Sequence, residues 1–305
     1  MTSESRTSQS DVKRVLRQLA QGDAAAPWQI QMIGQGYQAQ LFLARGGQAS
    51  AGNGVQKEVV VKLYRETTPA DRQACASEKC GLEVLSKLLP RNVCDGWLIC
   101  SPTLLHASEQ PLALVMSALP GVPLDVWLHS HAPTVAENAL IVEAALTSLQ
   151  TLWAQGFMYG DLNLKNILYD AGQRQLSFID PGAPLEYYLC DDVPREWFPM
   201  SRDIAYLLFS VAVSVRSTLR NPASRKRQQL MVSLLVRKYF ETLDSKQQQT
   251  RLLYEIRLCV DSHLRELHCD WSPSGIWRRL VKQITHRSLN RTLEQLAAQV
   301  QEVQS

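Results

Sequence analysis

Short apolar segments broken by glycines predict β-strands in the first part of the chain. Residues 30–45, IQMIGQGYQAQLFLAR, predict a strand, a turn and a second strand, and EVVVKLY after a Gly/Ser/Asn loop predicts a third. Two further strands are predicted at Trp97–Cys100 and Leu112–Met116. The second of these runs into Ala-Leu-Pro-Gly, a composition that breaks regular structure, so we place a boundary between two lobes there.

One helix is predicted between the third and fourth strands, and helical spacing dominates the chain after Gly121. Thr68 and Pro69 are typical of a helix start, and leucines at helical spacing follow them. Further helices are predicted at 133–154 and at about 202–219. A β-hairpin, formed by ILYD and LSFID around a turn at 171–174, interrupts the helices.

This pattern predicts four segments. Residues 1–27 are an arm, 28–117 an N-terminal lobe, 118–220 the core of a C-terminal lobe, and 221–305 its helical extension. The arm contains a short amphipathic stretch that forms either a helix or a mobile tail. The apolar positions of this stretch are Val12, Val15, Leu16 and Leu19.

Composition places the chain among globular proteins. With 305 residues, 45% of them hydrophobic and 20% charged, the chain can bury a large core, which excludes the disordered and fibrous classes. The 32 basic and 29 acidic residues give a net charge of +3, so bulk charge does not indicate a nucleic-acid binder. Seven cysteines at irregular spacings, without a Cys-x-x-Cys pair, predict reduced thiols.

The sequence contains neither a recognisable membrane span nor a secretory signal. Its longest uncharged apolar run, Ile204–Val215, has twelve residues, well short of the roughly 20 that a membrane span needs. The first thirty residues are polar and charged and contain no apolar signal region. We therefore expect the protein in the cytoplasm.

A glycine-rich turn and a lysine form the first candidate site. Gly34 and Gly36 lie between the first two predicted strands, and Lys62 lies on the third. Glycines let the backbone approach a polyphosphate closely, and a lysine on the adjacent strand can reach phosphate oxygens. The turn alone is weak support, because Ala39 stands where the phosphate-binding pattern Gly-x-Gly-x-x-Gly has its third glycine.

Two carboxylates and an amide form the second, more specific candidate site. Asp161 is followed five residues later by Asn166, then by the predicted hairpin, and then by Asp180 before a Pro-Gly turn. Asn166 and Asp180 supply the hard oxygen ligands that suit Mg²⁺, and Asp161 can deprotonate an acceptor hydroxyl. The pattern therefore predicts a magnesium-phosphate site.

These motifs resemble those of the protein-kinase-like phosphotransferase superfamily over about residues 30–220. The resemblance implies an α+β, bilobal fold with a five-stranded antiparallel N-lobe sheet, one N-lobe helix, a hinge and a mainly helical C-lobe. It also implies that ATP and Mg²⁺ bind in the cleft between the lobes.

The resemblance assigns roles to the matching residues. Lys62 is the strand lysine, and its ion-pair partner is Glu78 in Glu-x-x-Gly-Leu-x-x-Leu, with Glu83 as the competitor. Asp161 is the catalytic base, and Asp203 braces the catalytic loop. The metal ligands are Asn166 and Asp180, the phosphate-covering loop contains Gly34 and Gly36, and the hinge follows Met116 with the backbone of Ala118 and Leu119 facing adenine.

The chain departs from the eukaryotic-type pattern around the catalytic loop. Tyr159-Gly160-Asp161 replaces His-Arg-Asp, so the arginine that reads a phosphorylated activation loop is absent. Pro181 replaces the Phe of the metal-binding motif, and Asn163 replaces a lysine, whose task Lys165 is the candidate to take over. These departures resemble the atypical branches, which include lipopolysaccharide-core, RIO-like and aminoglycoside kinases.

The leading hypothesis is an ATP- and Mg²⁺-dependent kinase that phosphorylates a hydroxyl, either on a Ser/Thr of a protein or on a sugar of the lipopolysaccharide core. A pseudokinase that binds nucleotide without transfer is one alternative. An adenylyltransferase that uses ATP reversed in the same cleft is another.

Charge is unevenly distributed along the chain. Residues 214–305 contain 16 basic and 8 acidic residues, or +8, whereas the first 213 carry −5. The basic helices are therefore either a solvated face or a surface for an anionic acceptor or membrane.

Overall fold

The computed structural model describes residues 3–19, 28–36, 38–46, 57–65, 68–89, 91–93, 96–131, 133–183 and 198–214, and scattered positions between 233 and 298. The chain divides into two compact units. The first comprises residues 1–90, 100–120 and 179–191, and the second comprises 91–99, 121–178 and 192–305. Over the described part of the chain, no helix combines the length and the apolar character needed to cross a membrane. Of the described cysteines, Cys80 and Cys100 are free thiols.

The first unit is built on a five-stranded antiparallel sheet. Three consecutive strands pair as neighbours: β1 (Trp28–Gln35), β2 (Ala39–Gly46) and β3 (Lys57–Tyr64). The strand β7 (Leu112–Ser117) pairs with β3, and β6 (Leu104–Glu109) completes the edge beyond β7. The predicted α+β class and five-stranded antiparallel sheet are confirmed.

The identity of the fifth strand differs from the prediction. Trp97–Cys100 is a strand, β5, but it belongs to a second sheet, whereas the fifth strand of the first sheet is β6. The sequence of β6, LLHASE, is half polar, and its exposed side chains alternate with ones that are half-buried or, at Ser108, buried. An apolar run shows that a strand exists, but it does not identify the strand's partner.

Helices cover both faces of the first sheet. The helix α1 (Ser3–Leu19) buries Val12, Val15 and Leu16 against Phe42, Ala44, Val59, Val61 and Val115 of the strands. The amphipathic stretch of the predicted arm is therefore a docked helix. On the opposite face, α2 (Pro69–Leu88) packs Cys75 and Leu82 against Tyr64, Leu114 and Met116.

The start of α2 agrees with the sequence prediction. Thr68 is the N-cap residue: its side chain accepts a hydrogen bond from the Asp71 amide at 3.3 Å, and Asp71 Oδ2 accepts one from the Thr68 amide at 2.8 Å. Such a capping box satisfies two amides that a helix start leaves without partners. This start sets which side chains, Glu78 among them, face the sheet.

The second unit contains its own five-stranded sheet and several helices. Besides β5, its strands are β4 (Arg91–Val93), β8 (Val122–Pro123), β9 (Ile167–Asp170) and β10 (Gln175–Phe178). The sheet order is β4-β5-β10-β9-β8, and a tight turn joins β9 to β10, as predicted. The helices are α3 (Leu124–Ser130), α4 (Val135–Ala154) and α5 (Phe198–Ser214). The predicted continuation of the last helix to residue 219 lies outside the described residues.

We expect the docking of α1 to contribute to the stability of the first unit. Leu16 is 1% exposed, so Leu16→Ala should lower the free energy of unfolding by about 2–5 kcal/mol, because it leaves a cavity against the sheet. Urea denaturation measures this loss. The matched control is Gln18→Ala at an exposed position of the same helix, expected within about 0.5 kcal/mol of wild type. Equal midpoints for Leu16→Ala and the control would contradict the docking.

Candidate active site

A buried lysine lies between two carboxylates in the first unit. Lys62 Nζ lies 2.5 Å from Glu78 Oε2 and 2.5 Å from Asp180 Oδ1. The Lys62 and Glu78 side chains are 13% and 6% exposed, whereas Asp180 is 45% exposed. Glu83, the competing partner, is exposed on α2. The structure therefore pairs Lys62 with Glu78.

The alternation of β3 explains how these groups meet. Residues two apart in a strand point to the same face, so Lys62 and Tyr64 both point towards α2. The Tyr64 hydroxyl donates a hydrogen bond to Glu78 Oε2, and this oxygen also accepts a hydrogen bond from Lys62 Nζ. Sequence analysis missed Tyr64, although its position two residues after Lys62 was the available signal.

Burial and charge set the protonation of this cluster. Burial, reinforced by the Asp180 charge, raises the pKa of Glu78 to about 7 against the opposing effects of Lys62 and Tyr64. Burial alone would lower the pKa of Lys62, but the charges of Glu78 and Asp180 outweigh it and raise that pKa. Burial and the neighbouring Glu78 raise the pKa of Tyr64, so its hydroxyl stays protonated.

The segment that begins at Asp180 is attached to α2 at a second point. Ser77 Oγ donates a hydrogen bond to the Ala183 carbonyl. Pro181, which lies between Asp180 and Ala183 in the sequence, is buried. Asp180 itself has φ of 60°, in the left-handed region that aspartate tolerates better than most residues. These contacts fix the direction in which the Asp180 carboxylate points.

The two glycines of the predicted phosphate loop lie at the end of β1 and in the turn to β2. The Gly36 amide donates to the Ala39 carbonyl at 2.8 Å, which closes the turn. A Cβ added to Gly36 would meet its nearest atom, the Ala39 carbonyl oxygen, only at 3.5 Å, and one added to Gly34 would contact Leu41 at 3.4 Å. Contacts within the protein therefore do not require glycine at position 36. The space beside the Gly36 backbone is open to a ligand.

The predicted hinge residues follow β7. Met116 is buried among the side chains that face α2. The Ala118 amide donates to the Glu58 carbonyl at 3.4 Å, so this amide is engaged with the sheet. The sequence prediction that Ala118 faces adenine therefore rests on its carbonyl group.

In the second unit, Asp203 fixes the backbone before Asp161. Its carboxylate, fully buried on α5, accepts hydrogen bonds from Trp153 Nε1 at 3.0 Å, the Tyr159 amide at 2.9 Å and the Gly160 amide at 2.8 Å. Gly160 has φ of 85°, a conformation that favours glycine. Burial raises the pKa of Asp203 to about 6, and the three hydrogen bonds oppose this shift.

Asp161 and Asn166 are brought together by a short 3₁₀ turn, Leu164–Asn166. Asn166 Nδ2 donates to the Asp161 carbonyl at 3.0 Å and lies 3.5 Å from Asp161 Oδ2. The turn is held by Ser210 Oγ, which accepts from the Leu164 amide at 2.9 Å. Asp161 and Lys165 are both exposed at this loop.

Each unit offers an oxygen donor of the kind that Mg²⁺ prefers, Asp180 in the first and Asn166 in the second. Because Asn166 donates through Nδ2, its Oδ1 is the atom that can ligate a cation. Lys62, Glu78 and Asp180 together carry one net negative charge when ionised, which favours a further cation beside the exposed Asp180. The described residues contain no group of three or more His, Cys, Asp or Glu that could hold a metal. Magnesium typically uses one or two carboxylates, waters and substrate phosphates as its ligands.

The chain is similar to crystal structures of the kinase domain of PknI from Mycobacterium tuberculosis. A double mutant of that domain is matched with 16% sequence identity and a TM-score of 0.44, over 70% of this chain and 88% of that chain. Another crystal structure of the domain is matched with 15% identity and a TM-score of 0.39, over 70% of this chain and 98% of that chain. No protein-family model and no curated protein matches the sequence.

We expect Asp203 to make the free energy of unfolding fall with rising pH. Its pKa is about 6 in the folded protein against an ordinary 3.8, so the folded state holds this proton more tightly than the unfolded chain. The destabilisation is absent below about pH 4 and complete above about pH 6, where it reaches about 3 kcal/mol. Urea denaturation of wild type and Asp203→Asn at both ends of this range measures the effect.

The amide of Asp203→Asn does not titrate, so wild type should lose about 3 kcal/mol relative to this variant between pH 4 and pH 7. Glu143→Gln, at an exposed position of α4, is the control and should keep the pH dependence of wild type. Parallel curves for wild type and Asp203→Asn would show that Asp203 does not titrate in this range.

Proposed function

We propose that this protein is an ATP- and Mg²⁺-dependent phosphotransferase that acts on a hydroxyl group. The observation that carries the proposal is the buried Lys62, paired at 2.5 Å with both Glu78 and Asp180. A lysine held in this way presents a fixed positive charge to phosphate oxygens. The departures of the chain from the eukaryotic-type pattern leave this group intact.

The proposed reaction transfers the γ-phosphoryl group of ATP. The acceptor oxygen forms a bond to the γ-phosphorus, the bond from this phosphorus to the β-γ bridging oxygen breaks, and ADP leaves. Asp161 takes the proton of the acceptor hydroxyl, a task that suits an exposed carboxylate on a fixed loop. Lys62 binds phosphate oxygens and Glu78 keeps it in place.

Asn166 and Asp180 are the proposed ligands of the metal ion, and Gly34 and Gly36 the proposed contacts of the phosphates. Magnesium, when bound, neutralises charge on the phosphates and helps to align them. The base of the nucleotide would contact the backbone after Met116, at Ala118 and Leu119. The acceptor is proposed to be either a Ser/Thr of a protein or a sugar of the lipopolysaccharide core.

The proposal also includes a peripheral contact with an anionic membrane. At the described helical positions after residue 272, four apolar side chains are between 45% and 56% exposed: Ile276, Trp277, Leu280 and Ile284. At helical spacing these positions fall within about 100° of one another around the axis. Residues 271–293 contain five basic and no acidic residues. An exposed apolar face next to such a charge excess is typical of helices that lie on anionic bilayers.

We expect Asp161→Asn to lower phosphate transfer by about 10²–10⁴-fold, because the amide cannot accept the hydroxyl proton. Nucleotide affinity should stay within about twofold of wild type, since Asp161 is proposed to contact the acceptor rather than ATP. Incorporation of γ-labelled ATP into a fractionated lysate, followed in its protein and lipid fractions, measures the rate and identifies the acceptor class. Glu143→Gln is the matched control and should keep the wild-type rate.

Three outcomes would contradict parts of this proposal. Equal labelling by wild type and Asp161→Asn would remove the role of Asp161. Nucleotide binding without labelling by wild type would indicate a binding module. Incorporation of α-labelled rather than γ-labelled ATP would indicate an adenylyltransferase.

We expect the protein to bind vesicles containing phosphatidylserine more tightly than neutral phosphatidylcholine vesicles, with binding that weakens as salt is added. The double variant Trp277→Ser/Leu280→Ser should bind at least about tenfold more weakly, because each of these side chains contributes roughly 1.5–3 kcal/mol when it is buried. Vesicle sedimentation measures both effects. Val135→Ser on α4, where the valine is 60% exposed, is the control. Equal binding to both vesicle types, or none, would contradict the contact.

A further inference from the structure

Two donors from the same strand converge on one oxygen of Glu78. Lys62 Nζ lies 2.5 Å from Glu78 Oε2, and the Tyr64 hydroxyl donates to this same atom. Tyr64 and Glu78 are each 4% exposed. We infer that Tyr64 is a positioning residue that holds the Glu78 carboxylate in place for Lys62.

The Tyr64 hydroxyl matters because Glu78 is not the only group that Lys62 contacts. Lys62 also lies 2.5 Å from Asp180 Oδ1, and in the proposed reaction it must contact phosphate oxygens as well. Glu78 keeps the hydrogen bond from Tyr64 whichever of these groups Lys62 approaches. Without that hydroxyl, the carboxylate would depend on Lys62 alone, and a buried acceptor with too few donors is costly.

Tyr64 also contributes packing, and the two contributions can be separated. Its ring lies with Leu82, Leu114 and Met116 between the sheet and α2. Phenylalanine keeps this ring and removes the hydroxyl alone. Because burial and Glu78 raise the pKa of Tyr64, the hydroxyl remains a donor throughout the working pH range.

The environment of Glu78 shows why a neutral donor is useful there. The groups that act on it are Lys62 and Tyr64 from β3 and Asp180 from the segment after β10, and Cys75 of α2 lies beside Tyr64. A second lysine in place of Tyr64 would bring a further buried charge, whereas a phenol stabilises the carboxylate without one.

The inference rests on the proposed function, since Lys62 is taken to bind phosphate, and a double-mutant cycle tests it. Four proteins are compared: wild type, Tyr64→Phe, Glu78→Met and the double variant. Methionine fills a similar volume to glutamate but has no carboxylate to accept the hydrogen bond. For each protein, kcat/KM for ATP and the denaturant midpoint are measured.

We expect Tyr64→Phe to lower kcat/KM about tenfold when Glu78 is present, in line with the loss of a hydrogen bond to a charged group. In the Glu78→Met background the same change should alter kcat/KM by less than about twofold, because the group through which Tyr64 acts is gone. Equal losses in both backgrounds would mean that Tyr64 only packs, and would overturn the inference.

The denaturant midpoints separate failure of this inference from failure of the proposed function. If wild type transfers no phosphate but Tyr64→Phe lowers the midpoint only when Glu78 is present, the proposed function fails and the Tyr64–Glu78 coupling stands. If phosphate transfer occurs but the two changes are additive in both measurements, the positioning role fails and the function stands. Tyr169→Phe, the same atom change at a half-buried tyrosine that packs on Trp97 and Trp127, is the matched control and should leave both values unchanged.

Discussion

The buried ion pair between Lys62 and Glu78 is the interaction on which the arrangement of the first unit depends. Removing two charges from water is costly, and the cost is offset only when each charge has partners with good geometry. The pair therefore fixes the position of α2 along β3, because Lys62 reaches Glu78 only in one register of helix and strand. Removal of one partner would leave an uncompensated buried charge, typically worth about 3–5 kcal/mol.

Of the four acidic residues Glu78, Asp161, Asp180 and Asp203, the two buried ones position neighbouring elements, and the proposed reaction assigns proton transfer and metal binding to the two that are more exposed. Glu78 and Asp203 are 4% and 0% exposed, and each accepts several hydrogen bonds that hold a neighbouring element. Asp161 and Asp180 are more exposed, and each is oriented by contacts made within its own unit. Solvent exposure therefore separates the carboxylates that position the fold from those to which the proposal assigns chemistry. Burial also explains the raised pKa values of Glu78 and Asp203, since ionisation inside protein is unfavourable.

Local patterns in the sequence were sufficient for the longer helices, for four of the five strands of the first sheet and for the β9–β10 hairpin. The capping sequence located the start of α2, and the resemblance of Glu-x-x-Gly-Leu-x-x-Leu named Glu78, which the structure places among the buried residues of that helix. Pairing between distant segments was not predictable in this way: β5 was assigned to the wrong sheet because an apolar run contains no information about its partner. Tyr64 was missed for a related reason, because a tyrosine on a strand suggests packing until its acceptor is known.

The attachment of the Asp180 segment to α2 has a consequence for regulation. Two links join them, one through Lys62 and Glu78 and the other through Ser77 and Ala183. If the helix and the segment moved independently, each with two positions, four combinations would exist. Because they are joined at two neighbouring points, a displacement of one carries the other, and the mixed combinations are suppressed. A ligand that favours one position of α2 would therefore select the position of the Asp180 carboxylate as well, so that a single equilibrium, rather than two, is available to a regulator.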